Sequence, residues 1–174
     1  MRPSGFQGFH RRDDGHPAMG RFAWLMGLYA ENHQRLGRLF DPAPLARGAY
    51  RSMGLDGLAL EVEVVQRHAW MVEMRMSYAL RDPETGLPDP SAHVRYYLDS
   101  RQAEVTHCYV GRRWQDVLGL APPAKAVLAH RLRMNAFLNK WLDHLALQGH
   151  APGTLERVGD AAGEGDGKNI VAIA

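Results

Sequence analysis

From Leu58 to Val110 apolar residues return at every second position through four consecutive segments, and this constrains the fold more than any other feature of the chain. In the first, Leu58, Leu60, Val62 and Val64 alternate with Ala59, Glu61, Glu63 and Val65. In the second, Trp70, Val72, Met74, Met76, Tyr78 and Leu80 alternate with Met71, Glu73, Arg75 and Ser77. The third sets Ala92, Val94, Tyr96 and Leu98 against His93, Arg95, Tyr97 and Asp99, and the fourth sets Ala103, Val105, His107 and Tyr109 against Glu104, Thr106 and Cys108. Successive side chains of a strand point to opposite faces, so each segment reads as a strand with one face in a core and the other toward water.

Directly opposed residues of an antiparallel pair share a face, which ties loop length to the parity of the apolar sets. Even faces even in the first pair, so the connection around Gln66, Arg67 and His68 is expected to hold an odd number of residues, most simply three. Even faces odd in the second pair, which calls for an even loop; Asp99-Ser100-Arg101-Gln102 supplies four residues, or two if its ends pair. That register sets Tyr97 opposite Glu104, Arg95 opposite Thr106 and His93 opposite Cys108 on the outer face.

Outside this stretch the period changes. Phe22, Leu25, Tyr29, Asn32, Leu36 and Leu39 follow steps of three and four, one stripe down a helix that Asp41-Pro42-Ala43-Pro44 must end. Ala49 to Met53 reads as a further short strand. Pro122-Pro123 opens a second long helix with the stripe Met134, Leu138, Trp141 and Leu145, widened by Phe137 and Leu142, and Gly149 suits the left-handed residue past its end. Between them an amphipathic turn with Trp114, Val117 and Leu118 is expected. A sheet with one apolar face needs a cover, and two striped helices need a floor. The fold class expected is α+β: an antiparallel sheet of four to five strands with an N-terminal and a C-terminal long helix packed on one face. Residues 1–18 read as a disordered leader, 19–150 as a single domain and 151–174 as a disordered tail, because both ends are rich in Gly, Ala and charge with little to bury.

Composition excludes more than it selects. A chain of 174 residues can build one self-sufficient core. The single cysteine, Cys108, has no internal disulfide partner, and no signal-like or membrane-length apolar run occurs, so a soluble cytoplasmic protein is expected. A net charge of +2 with scattered arginines does not indicate nucleic acid as a partner. The basic residues Lys125, Arg131, Arg133 and Lys140 read as a solvated helix face. Nine histidines form none of the local spacings that gather metal ligands, so no metal and no cofactor is expected. The run Gly163 to Lys168 lacks the first glycine and the Ser/Thr of a phosphate loop.

The leading candidate surface is the outer face of the second hairpin: His93, Arg95, Tyr97, Asp99, Glu104 and Thr106. Arg95 can fork onto a carboxylate or phosphate, Tyr97 can stack or donate, and Asp99 and Glu104 can accept protons or hold a cation. The competing view is a solvated face with cross-strand Arg–Glu pairs. Asn32 and Asn135, set in helical stripes, read as amides that satisfy buried backbone groups. His107 reads as a hydrogen-bonded core histidine. Cys108 has His93 as its expected neighbour but no oxyanion donor, which argues against nucleophilic chemistry.

Three segments taken together carry a resemblance: Asn32 with Leu36 and Leu39; Val94-Arg95-Tyr96-Tyr97-Leu98-Asp99 with Ala103-Glu104-Val105; and Asn135 through Leu142 ending at Gly149. The pattern resembles the YqiB-like family of small, uncharacterised bacterial proteins, a domain of unknown function, over roughly Phe22 to Gly149. It departs at Ala129-His130-Arg131-Leu132-Arg133, where relatives carry an acidic residue followed by lysine. The resemblance implies that Arg95, Asp99, Glu104 and Asn135 belong to a shared pattern, and it brings no activity. The functional expectation is a non-catalytic binding or adaptor protein that offers its polar sheet face or a sheet edge to a protein partner. The alternative is a protein for small, phosphate-containing ligands such as nucleotides, with a hydrolase as one form of it, using Arg95, Asp99 and Glu104.

Overall fold

The structure is a computed structural model and describes residues 17–79, 81, 83, 86, 90–108 and 121–158. It is α+β. Helix α1 (Pro17–Phe40) is followed by strands β1 (Gly48–Met53), β2 (Ala59–Arg67), β3 (Met71–Tyr78), β4 (Ser91–Tyr97) and β5 (Gln102–Cys108). Helix α2 (Ala124–Leu147) and a three-residue strand, β6 (Leu155–Arg157), complete it. All neighbouring strands are antiparallel in the order β5-β4-β3-β2-β1-β6. The sheet thus has six strands where four to five were expected. The sixth comes from the stretch after residue 150 that the sequence leaves outside the domain, and its three residues are too short to show a period.

The alternation holds for the buried face. Leu60, Val62, Val64, Val72, Met74, Met76, Ala92, Val94, Tyr96, Ala103 and Val105 are buried together with Leu36, Leu39 and Phe40 of α1 and Met134, Leu138, Trp141, Leu142 and Leu145 of α2. The helix packing is less simple than two helices laid flat on one face. Both helices approach the sheet most closely at β5, the edge strand. The N-terminal half of α1 packs instead on α2, where Leu25, Leu28, Tyr29 and Leu132 form a second small cluster. Phe22, placed in the buried stripe by its spacing, is exposed there beside Trp24, because the stripe runs on past the sheet that would cover it.

Two β-bulges correct the expected registers. In β2 the ladder shifts between Val64 and Gln66, which leaves Val65 without an opposite residue. The shift changes the parity, so β2 and β3 close through an even connection, Ala69-Trp70, with the His68 N–H donating to the Met71 carbonyl at 2.8 Å. Trp70 therefore sits in a turn, exposed, and not in the core. In the second hairpin the loop is even, as required, but its four residues are Leu98 to Arg101, and Tyr97 pairs with Gln102. One residue of displacement moves every pair by two: Arg95 faces Glu104, where Thr106 was expected, and Tyr97 does not face Glu104 directly. A second bulge at Thr106 then sets His93 against His107 and Cys108 against Ala92. His107 is thereby a partner of the outer-face His93, with ring centroids 5.5 Å apart, and is not a core residue.

Local chemistry explains the helix ends. Asp41 adopts a left-handed φ of 43° and its N–H returns to the Gly37 carbonyl, after which Pro42 forbids continuation. At the end of α2 the N–H groups of Gly149 and His150 reach back to Ala146 and Leu145, a Schellman closure. Gly149 has φ 79°, and a Cβ there would lie 3.0 Å from Leu55 Cγ, so glycine is required twice over. Ser52 Oγ, 2.6 Å from His150 Nδ1 and 2.7 Å from Thr154 Oγ1, fastens this corner to β1. Ser52 is fully buried, so this serine–histidine pair is a clamp and not a nucleophile open to substrate.

Burial also sets a pH response. Desolvation is the leading cause that lowers the pKa of His33, His93, His130 and His150 in the folded protein. The unfolded chain then binds protons that the folded chain refuses, and stability is fully present above the ordinary histidine pKa and lost as pH falls through it. The urea midpoint is expected to drop between pH 7.5 and pH 5.5, in the window just below about 6.5 where an unperturbed histidine titrates and carboxylates do not. A flat profile over that window contradicts the assignment.

Candidate functional site

The odd-numbered residues of β2 to β4, with their partners on β1 and β5, form the face that no described helix covers. Because opposed residues share a face, charges fall into rows across the strands. One row runs Glu63, Arg75, His93, His107; the next runs Gln66, Glu73, Arg95, Glu104. Arg75 Nη2 lies 2.6 Å from Glu63 Oε2, and Arg51 Nη2 lies 3.3 Å from Glu61 Oε1. The face is thus nearly neutral, a lattice of alternating signs and not a field of one sign.

Arg95, Tyr97 and Glu104 are brought together near its β5 end. The Tyr97 hydroxyl donates to Glu104 Oε1 at 2.8 Å, and Arg131 Nη1, reaching round the sheet edge from α2, donates to Glu104 Oε2 at 3.1 Å and to the Tyr29 hydroxyl at 3.3 Å. Burial first, and then the Glu104 carboxylate, raises the Tyr97 pKa and keeps its proton in place as a donor. Burial likewise raises Tyr29, and the hydrogen bond with Tyr29 leads the causes that raise Arg131 further. Both carboxylate oxygens of Glu104 are therefore engaged. Arg95 is held more loosely: its buried Nε has no hydrogen-bond partner and lies 3.8 Å from Glu73 Oε1, while its guanidinium acts on the Tyr97 hydroxyl.

The remaining predicted residues lie elsewhere or serve the backbone. Thr106, at the bulge, donates to the His93 carbonyl at 3.4 Å and contacts His107 Nδ1 at 3.1 Å. Asp99 is exposed in the β4–β5 turn, where its carboxylate accepts the Ser100 N–H. Asn135 is on α2, fully buried on the opposite side of the sheet. Its Oδ1 accepts the Val105 N–H at 3.1 Å, its Nδ2 donates to the Arg131 carbonyl, and the Asn32 amide contacts it in turn, with Asn139 donating to Asn32 Oδ1. The four groups Arg95, Asp99, Glu104 and Asn135 do not surround a common cavity.

Three features escaped sequence reasoning. Arg131 was read as a solvated helix charge; its position four residues before Asn135 places both on one helix face and was the available signal. The Ser52–His150 clamp spans 98 residues and leaves no local trace. A groove between α1 and the β4–β5 turn, with His33 stacked on Tyr96, was also missed. Among the described residues no group of three or more His, Cys, Asp or Glu is placed to hold a metal ion. No helix among them is long and apolar enough to cross a membrane. The amphipathic turn at Trp114 and the run at Gly163 lie outside the described residues.

Among the described residues, fold and face define an α+β protein with one sheet face covered by helices and one left uncovered. The family model described as "Protein of unknown function (DUF1249)" matches residues 35–151, and the chain belongs to that family. No curated protein and no solved structure matches it.

Proposed function

We propose that this chain is a non-catalytic binding protein, working in a cytosol, that presents the open sheet face to a protein partner. The observation that carries the reading is the state of Arg95: a half-exposed guanidinium in the middle of a charge-alternating face, its one carboxylate contact among the described residues a loose 3.8 Å approach to Glu73 Oε1. A partner carboxylate on the exposed part of the guanidinium gains a closer, charge-assisted pair than the loose one with Glu73. The other charges already hold one another at distances a solvated surface tolerates, and a complementary surface can exchange those pairs row by row. His93, Tyr97, Glu104 and Thr106 complete the contact zone, and Asp99 lies at its rim. Asn135 supports the zone from beneath by holding Val105.

The same geometry disfavours the hydrolase alternative. Glu104, committed through both oxygens to Tyr97 and Arg131, is not a free base, and Asp99 is held in the turn. The narrower likeness to the YqiB-like proteins is part of this proposal and is supported by Val94 to Asp99 and Asn135 to Leu142 falling inside the matched stretch.

Affinity capture from extracts of the native cells, with the protein and its Arg95→Glu variant compared by quantitative mass spectrometry, tests the reading. Reversing this central charge is expected to lower recovery of the specific partner about tenfold or more. Lys140→Glu, on the exposed side of α2, is expected to leave it unchanged. Equal recovery with Arg95→Glu contradicts the proposal.

A further inference from the structure

An open groove of about 610 Å³ lies away from the sheet face, where the C-terminal half of α1 meets the β4–β5 turn. Its lining includes His33, Gln34 and Arg38 from the helix, Tyr96 from β4, and Ser100 and Arg101 from the turn, and holds no carboxylate. Acids stand outside it: Asp41 acts on Tyr96 from the helix end, Asp99 is occupied by the Ser100 N–H, and Glu31 and Asp143, which share a neighbouring groove with Arg38, are both paired with Arg35. Neither Arg38 nor Arg101 has an ion-pair partner among the described residues. The groove is thus lined by two exposed guanidiniums with no acid between them, a positive surface that favours an anion.

The groove is also built firmly. The His33 and Tyr96 rings stack with centroids 4.1 Å apart and planes within 9°. Tyr96 is buried, and its hydroxyl lies 3.2 Å from where a Cβ at Gly37 would stand, so helix and strand close tightly on this floor. Arg38, in the last turn of α1, has a structural reason for its charge, since it complements the carbonyl end of the helix. Arg101 has none. It adopts a left-handed φ of 53°, a conformation that glycine or asparagine takes with less strain, yet the position carries a long cation.

We propose that this groove binds a small phosphorylated molecule, its phosphate held between the Arg38 and Arg101 guanidiniums and its remainder lying along the His33–Tyr96 stack. Arginine's planar donor fork matches phosphate oxygens in pairs, which a lysine in either position does not. The site is separate from the sheet face and stands or falls without it.

The probe is inorganic pyrophosphate, titrated into the full chain by calorimetry at fixed ionic strength, with sodium chloride as control. Saturable binding is expected, weakened about tenfold or more in Arg101→Gly and in Arg38→Ala by loss of a charge-assisted contact. Arg101→Gly is the sharper variant, because it relieves the left-handed strain and is expected to melt no lower than the parent. Loss of binding in a variant of undiminished stability cannot come from unfolding. Absence of saturable binding, or binding by either variant as tight as the parent's, overturns the proposal. Tighter binding of a single-stranded oligonucleotide, growing with its length, overturns it as well, since a small-molecule site gains nothing from added nucleotides.

Discussion

Asn135→Ala is expected to destabilise the protein by about 2 to 4 kcal/mol, out of proportion to the three heavy atoms removed. Asn135 Oδ1 accepts the N–H of Val105 on the edge strand β5, and Asn32 Nδ2 lies 3.3 Å from the Asn135 carbonyl and 3.5 Å from its Oδ1. Truncation leaves the Val105 N–H buried without a partner and weakens the Asn32–Asn139 link that ties α1 to α2. Each orphaned buried group costs roughly 1 to 3 kcal/mol. Leucine restores volume but no acceptor, so Asn135→Leu is expected to fail by a similar margin. Urea denaturation with an unchanged slope is the measurement; a loss below about 0.5 kcal/mol, the level of an ordinary surface change, contradicts the edge-capping role.

Leu138→Ala is expected to cost about 2 to 5 kcal/mol, since Leu138 is fully enclosed between α2 and the sheet and its removal leaves a cavity. The contrast is Arg75→Ala on the open face. Its ion pair with Glu63 is half exposed on both sides and contributes only about 0 to 1 kcal/mol. Comparable losses from the two variants contradict the assignment of a covered and an open face.

Phase was legible in the sequence because it depends on a repeat: every even-numbered apolar residue of β2, β3 and β4 from Leu60 to Tyr96, outside the turns, is buried. Register was not. A bulge adds one residue without altering composition, so nothing at Val65 or Thr106 distinguishes it from a regular position. Parity reasoning takes the ladders as regular and therefore gave the first turn three residues, drew Trp70 into the core and aligned His93 with Cys108. The cross-strand partner of Arg95 was missed for a smaller reason. Leu98 looks like the last residue of a strand, but its N–H goes to the Trp70 carbonyl, and the turn starts there.

The candidate site was legible as a set of side chains on one face, and only in part as an arrangement. Arg95, Tyr97 and Glu104 do meet. Asp99 left the group because the turn begins one residue early, and Asn135 because a helical stripe does not say which strand it will touch. Arg131 joined Glu104 from an element more than twenty residues further on, a contact across 27 positions that only the folded sheet edge creates.

The open face is tested most directly by a photo-crosslinking amino acid placed at position 75, in the row beside Arg95, and, in a separate protein, at position 140 on the exposed side of α2, each irradiated in the native cells. A single discrete adduct from position 75 and none from position 140 is the predicted result. Adducts of equal yield from both positions, or from position 140 alone, contradict it.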